Sequence, residues 1–341
     1  MKSLVLDKPG SFSWKEITPP QPEDLQEGEA LLKVRRIGVC GTDLHAFDGS
    51  QPFFSYPRIL GHELGVEVLA LGTGTSGINV GDICAIEPYR NPSQDHAVRR
   101  GKTNCGENLQ VLGVHEDGGM QEYIRYPASL LHSSDTLSLD QLALVEPMGI
   151  GCHAVNRAQI QPDDTVLVIG VGPIGLGTVQ FAKAAGAAQV LAMDINPERL
   201  AYLEEQVGID GSILASSTAE ADIRSQLGGD LPTVVFDVTG NAGSMMKAFE
   251  YVAFGGKLVY IGLFIGDIHF HDPYFHKKEL TLLASRNANS RDFQQVLSYI
   301  SEGKVKTDPW ITHRARFEEV PGLFPTWKDP KSQVMKAMIE V

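Results

Sequence analysis

Two hydrophobic rhythms divide this chain. Up to about residue 150 the apolar positions come in short runs, at Val5, Leu31-Leu32-Lys33-Val34, Val66-Glu67-Val68-Leu69 and Ile83-Cys84-Ala85-Ile86. Turn signals separate them, among them Pro19-Pro20, Gly72-Thr73-Gly74 and Gly81-Asp82. Short strands at this spacing predict a small barrel or sandwich. Residues 90–110 break the rhythm with a polar tract, Arg90 to His96 and Arg99-Arg100-Gly101-Lys102, which reads as a long surface loop. A helical segment follows through Met148, His153, Ala154 and Ala158. Glu146, in an apolar setting beside Pro147, reads as a carboxylate at the N-terminus of that helix.

From residue 165 the period changes. Thr165-Val166-Leu167-Val168-Ile169 is a β run, 174–185 is a helix of apolar and small residues, and Gln189-Val190-Leu191-Ala192-Met193 is a second strand. Further strands are expected at 233–236, 257–261 and 280–283. The alternation predicts a parallel sheet covered on both faces. The last fifty residues hold a helix near 291–302, a Pro-rich stretch and a final strand over 334–341.

Composition narrows the function classes. A chain of 341 residues suits two domains, and 43% hydrophobic with 21% charged residues is that of a globular protein. A net charge of −13 repels phosphate backbones, so no nucleic-acid partner is expected. The N-terminal run Lys2-Ser3-Leu4-Val5-Leu6 reads as a strand rather than a leader, and no apolar run is long enough for a bilayer. No membrane association and a cytoplasmic location are therefore expected. Cys40, Cys84, Cys105 and Cys152 are scattered without a C-x-x-C pair, which suits ligand or buried roles better than disulfides.

The first candidate chemistry is Gly170-Val171-Gly172-Pro173-Ile174-Gly175, a G-x-G-x-x-G between a strand and a helix. Gly170 makes the tight turn, Gly172 lets the backbone approach a pyrophosphate, and Gly175 lets the helix sit close on the strand. The helix N-terminus, at Pro173 and Ile174, offers N–H groups and a positive dipole end to phosphates. Asp194, about 20 residues on, can accept from ribose hydroxyls and repels a 2′-phosphate, which favours NAD over NADP. Arg199, one turn further, weakens that preference slightly.

The second is the stretch from Cys40-Gly41-Thr42-Asp43-Leu44-His45 to Gly61-His62-Glu63. Thiol, imidazole and carboxylate are the ligand types of a catalytic zinc, which keeps three protein ligands and one open position. A hydride acceptor in one domain and a Lewis acid in the other would together oxidise an alcohol. Cys40 and His62 supply two ligands, and the carboxylate is Glu63 or Glu146. Thr42 and His45, a hydroxyl and an imidazole close after the ligand cysteine, suit a proton relay.

With Gly81-Asp82, Asp117-Gly118-Gly119-Met120-Gln121-Glu122-Tyr123 and Glu146-Pro147, these motifs resemble the zinc-dependent medium-chain dehydrogenases over essentially the whole chain. That superfamily includes alcohol, sorbitol and threonine dehydrogenases. The resemblance implies a mixed α/β and β protein: a GroES-like catalytic domain, 1–150 plus 287–341, with an inserted NAD-binding Rossmann domain, a doubly wound parallel sheet, over 151–286. In the sorbitol and threonine branches the positions matching Cys40, His62 and Glu146 ligate zinc, and that of Glu63 binds it directly or through water. The positions matching Thr42 and His45 relay the proton. The loops Val238-Thr239-Gly240, Ile261-Gly262-Leu263 and Ser285-Arg286-Asn287 are implied to hold the nicotinamide. Many relatives carry a second, structural zinc on four cysteines. Here Pro92, Asp95, Val98 and Gly106 occupy those positions, so one zinc per subunit is expected, with a lobe that is mobile or held by a subunit contact. A homodimer or homotetramer is usual in the superfamily.

The stretches 51–57 and 272–279 are similar to those of bacterial hexonate 5-dehydrogenases acting on L-galactonate or L-gulonate. A sugar acid or polyol with a secondary hydroxyl is the expected small-molecule substrate. Phe53, Phe54 and Tyr56 would wall the pocket, and Arg286 or Arg90 would meet a carboxylate. L-Threonine or a simple alcohol is the alternative substrate, and a zinc-free reductase or a non-catalytic NAD-binding protein is the competing class.

Overall fold

The computed structural model describes residues 1–52 and 54–341. They form two units, residues 1–147 with 289–301 and 310–341, and residues 148–288 with 302–309.

In the first unit, Glu29–Gly38 is the strand on which the others are hung. Glu63–Leu71 and Tyr123–Pro127 pair with it antiparallel. Lys336–Glu340 joins its far end, also antiparallel, and carries Ile311–Arg316 parallel on its outer side. Ile83–Ile86 and Leu131–Ser133 complete the seven-stranded sheet. The inward side chains, among them Leu32, Val34, Ile37, Val66 and Phe324, form one core. Two register pairs matter for function: Gly38 lies opposite Glu63 on one side and opposite Met338 on the other. The last strand therefore brings a residue two places before Met338, Lys336, to the start of the strand that begins with Glu63.

Three expectations change here. The helix around Glu146 begins at Leu139 and runs to Ala158 with Pro147 inside it, so Glu146 sits in mid-helix rather than at its N-terminus. The Pro-rich stretch near the C-terminus contains the helix Val320–Trp327, because Pro321 falls in its first turn, where no N–H is needed. The polar tract is built rather than formless. Tyr89–Arg90 pairs with Gln110–Val111, and Asp95 caps the helix His96–Arg99 through the Val98 N–H at 3.0 Å while accepting the Glu107 N–H at 2.6 Å. One carboxylate ties the two limbs of the lobe together. Those backbone hydrogen bonds hold its pKa below the usual carboxylate value.

The second unit is a six-stranded parallel sheet in the spatial order Gly211–Leu214, Gln189–Asp194, Thr165–Ile169, Val234–Asp237, Lys257–Tyr260, Thr281–Ala284. That is sequence order 3-2-1-4-5-6, the doubly wound arrangement whose switch point lies between the first and fourth strands. Gly211–Leu214, flanked by polar residues and Gly211 itself, gave no strand signal in the sequence. Among its buried groups is a lysine. Lys278 is 2% exposed, and its Nζ donates to the carbonyls of Val252 at 2.6 Å and Glu250 at 3.1 Å, at the end of the helix Ala242–Tyr251. It also lies 4.5 Å from the Tyr274 ring centroid. Lys278→Met keeps the stem but strips two buried carbonyls of their donor. It is expected to destabilise the protein by about 2–4 kcal/mol, and a thermal unfolding curve superimposable on wild type would refute this.

Candidate metal and nucleotide sites

Cys40 caps the helix Gly41–Asp48, and the Asp43 carboxylate accepts the Cys40 N–H at 2.9 Å. The same carboxylate accepts from Gly61 N–H at 3.3 Å, so one buried side chain fixes both ends of the stretch that holds Cys40 and His62. Its other neighbour is His62 Nδ1, 3.8 Å from Asp43 Oδ1. Glu63 opens the strand Glu63–Leu71. The result is a group in which ligand atoms of Cys40, His62 and Glu63 all lie within 4.8 Å of one another. Among the described residues, this is the group of three or more such side chains arranged to hold a metal ion.

Two further observations test the fit. His62 Nδ1 is buried and has no hydrogen-bond partner among the described residues. The imidazole's electrostatics are also those of a cation site. Burial opposes a charged ring, yet Cys40, Asp43 and Glu146 around it outweigh burial and push its pKa well above the ordinary value. The residues fit zinc: a soft thiolate, an imidazole and a carboxylate with charge to neutralise.

Glu146 stands outside the 4.8 Å group. It is buried, and the Tyr89 hydroxyl donates to its Oε1. Burial, then the adjacent Glu63, raise its pKa, with His62 acting in the other direction. Burial and the neighbouring Glu146 together push the Tyr89 phenol far up, so it remains a donor. Thr42 is half-buried and His45 exposed, with His45 Nδ1 3.3 Å from Ser50 Oγ. Phe54 and Tyr56 stack edge-on at 4.9 Å between centroids and pack against the core of this unit. Phe53 lies outside the described residues. Arg90 pairs with Glu116 at 3.1 Å.

The nucleotide motif keeps its own geometry. Gly170 has φ 91°, and a methyl at Gly175 would lie 1.9 Å from the Gly170 carbonyl oxygen, so only glycine lets the helix Pro173–Ala184 start this close to the strand end. At Gly172 a methyl's nearest neighbour would be an Arg199 guanidinium nitrogen at 3.8 Å, which leaves the helix N-terminus open to a phosphate. Asp194 ends its strand and accepts N–H groups from Val171 at 2.7 Å and Asn196 at 2.8 Å, tying the glycine turn to the next strand. Asp237, at the end of the fourth strand, accepts from Thr239 N–H and Oγ1 and from Ser244 Oγ, shaping the turn that carries Gly240. That turn meets the next: a methyl at Gly262 would lie 2.2 Å from Gly240 N, between Ile261 and the exposed Leu263. Ser285 Oγ is buried without a partner at the end of the last strand, and Arg286 beside it is exposed.

Residues 173–302 match the family model for zinc-binding dehydrogenases, and residues 26–136 match that for the alcohol dehydrogenase GroES-like domain. The chain belongs to the zinc-binding alcohol dehydrogenases. It is a dehydrogenase that uses zinc and a nicotinamide cofactor. It is 42% identical over 317 residues to the L-galactonate-5-dehydrogenase of Escherichia coli strain K12, covering 93% of this chain and 92% of that protein. It is 29% identical to the sorbitol dehydrogenase of Bacillus subtilis strain 168, over 99% of this chain and 97% of that one. Its fold superposes with a TM-score of 0.92 on the E. coli CFT073 short chain alcohol dehydrogenase complexed with NADH, at 29% identity, covering 100% of this chain and 99% of that one. No described helix of this dehydrogenase is long and apolar enough to cross a membrane.

Asp43, Tyr89, Asp237 and Lys336 are site residues that the motif reading did not single out. Asp43 lay inside the quoted Cys40 motif and Lys336 was an isolated cation in an apolar strand, so both had a signal. Tyr89 and Asp237 had none.

Proposed function

We propose that this dehydrogenase oxidises a secondary hydroxyl of a hexonate or polyol to a ketone and passes the hydride to NAD. The observation that carries the reading is the buried Cys40–His62–Glu63 group, whose ligand atoms all lie within 4.8 Å of one another. One zinc per subunit, held by Cys40 and His62 with Glu63 and Glu146 as the available carboxylates, would supply a Lewis acid that lowers the pKa of the substrate hydroxyl. Thr42 and His45 take the released proton toward solvent, and the Ser50 hydroxyl extends that path. Gly170, Gly172 and Gly175 seat the pyrophosphate against Pro173 and Ile174. Asp194 and Arg199 meet the adenosine ribose, and Thr239, Gly240, Ile261, Gly262, Leu263 and Ser285 border the nicotinamide. Arg286 or Arg90 supplies the cation for a hexonate carboxylate. Phe54 and Tyr56, which pack at the edge of the core, wall the substrate pocket in this reading. A structural zinc is not part of this reading because Asp95 already closes the lobe. We assign residues 1–150 plus 287–341 to the catalytic domain, 151–286 to the cofactor domain, and a homodimer or homotetramer to the assembly.

NADH formation across L-galactonate, L-gulonate, sorbitol, L-threonine and simple alkanols tests the substrate. Hexonates are expected to turn over fastest, a zinc chelator to abolish the rate, and metal analysis to give one zinc per chain. Comparable rates on alkanols with none on hexonates, or two zinc ions per chain, would overturn the respective parts.

A further inference from the structure

Lys336 is 3% exposed and lies in the apolar strand Lys336–Glu340. Its Nζ donates to both carboxylate oxygens of Glu63, at 2.6 and 2.7 Å, and to the carbonyl of Val39 at 3.0 Å. An ammonium has three protons, and all three are used. Glu63 is itself 1% exposed. Its carboxylate lies over Gly38, where a methyl would come 2.2 Å from Glu63 Oε2, so the sheet is built to leave room for this pair. Val39 adjoins Cys40, so the same ammonium bonds to the backbone next to one metal-site residue and to the side chain of another.

The charges add up in a telling way. With Cys40 as the thiolate that metal binding requires, Cys40, Glu63 and Glu146 bring three negative charges and Lys336 one positive. That leaves an excess of negative charge, to which the buried Asp43 beside His62 adds, and a divalent cation offsets it. The two carboxylates are held unequally: a neutral phenol donates to Glu146, whereas a charged donor engages both oxygens of Glu63. Charge-assisted hydrogen bonds are about twice as strong as neutral ones, and they draw electron density from the carboxylate that accepts them.

We propose that Lys336 is a positioning residue that competes with the divalent cation for Glu63, making Glu63 the exchangeable carboxylate of the site while Cys40 and His62 stay fixed. The proposal rests on the zinc reading above. Cys40→Ala separates the two, because that reading requires this variant to lose zinc whatever Lys336 does.

The test is the rate of zinc release from the whole enzyme to a chromophoric chelator, with the absorption spectrum of the cobalt-substituted protein as a second readout. Lys336→Met is expected to release zinc about tenfold or more slowly and to shift the cobalt bands, as Glu63 binds without a competitor. Lys336→Arg keeps the charge and is expected to release zinc much as wild type does. In a Glu63→Gln background, Lys336→Met is expected to change nothing further. Unchanged or faster release from Lys336→Met, or an equal slowing without Glu63, would overturn the proposal. Should Lys336→Met fail to fold, Lys336→Gln carries the same expectation, because it removes the charge and keeps a donor.

Discussion

His62→Ala is expected to yield a folded protein that retains little zinc and turns over substrate on the order of 10³-fold more slowly, the equivalent of about 4 kcal/mol of transition-state stabilisation. The imidazole is central to the group: it lies near Cys40 and Glu63 on one side and 3.8 Å from Asp43 on the other. Removing it leaves Cys40, Asp43, Glu63 and Glu146 facing one another with Lys336 as the remaining cation, so the thiolate and carboxylates must hold the metal without an imidazole and in a weaker geometry. Folding should survive, because the strand pairing of Glu63–Leu71 does not depend on the ring and the deleted side chain is polar. Metal analysis and NADH formation on the same preparation check the two halves separately. Full zinc occupancy with activity within tenfold of wild type would show that the site lies elsewhere.

Asp194→Ala is expected to weaken NAD binding on the order of 100-fold, and NADP binding less, so that the preference moves toward NADP by about tenfold or more. The carboxylate has two duties. It accepts from Val171 and Asn196, so its loss leaves two N–H groups of the cofactor turn without their acceptor. In the proposed reading it also faces the adenosine ribose and repels a 2′-phosphate, with the Arg199 guanidinium close to Gly172. Removing the charge relieves the repulsion and leaves the arginine. Cofactor titration by NADH and NADPH fluorescence measures both effects. Equal weakening of the two would show that Asp194 only shapes the turn and does not select the cofactor.

Much of this molecule was written locally. The parallel strands Thr165–Ile169, Gln189–Asp194 and Lys257–Tyr260 are built on apolar runs, since both faces are covered, and they end at the Gly170 turn, at Asp194 and before Ile261-Gly262. The cofactor site was therefore legible, because its parts are neighbours in sequence or sit at strand ends. Gly211–Leu214 was not, because a short edge strand needs little apolar surface. The polar lobe looked shapeless for a related reason: its order comes from Asp95 bonding to Val98 and Glu107, and a hydrogen bond leaves no periodic trace.

The metal site divides differently. Its ligand types were readable from Cys40, His62, Glu63 and Glu146, since few other residues bind zinc. Which of them stand together was decided by tertiary structure. Antiparallel register sets Glu63 opposite Gly38, and the returning last strand brings Lys336 to Glu63, across 273 residues of chain. Sequence spacing carries no information about register between distant strands, because any even shift preserves the same alternation of faces. The sequence thus determined a dehydrogenase with a cofactor turn and a set of zinc-type ligands. Only the folded sheet decided that Glu63 joins Cys40 and His62, that Tyr89 holds Glu146, and that a buried ammonium engages both oxygens of Glu63.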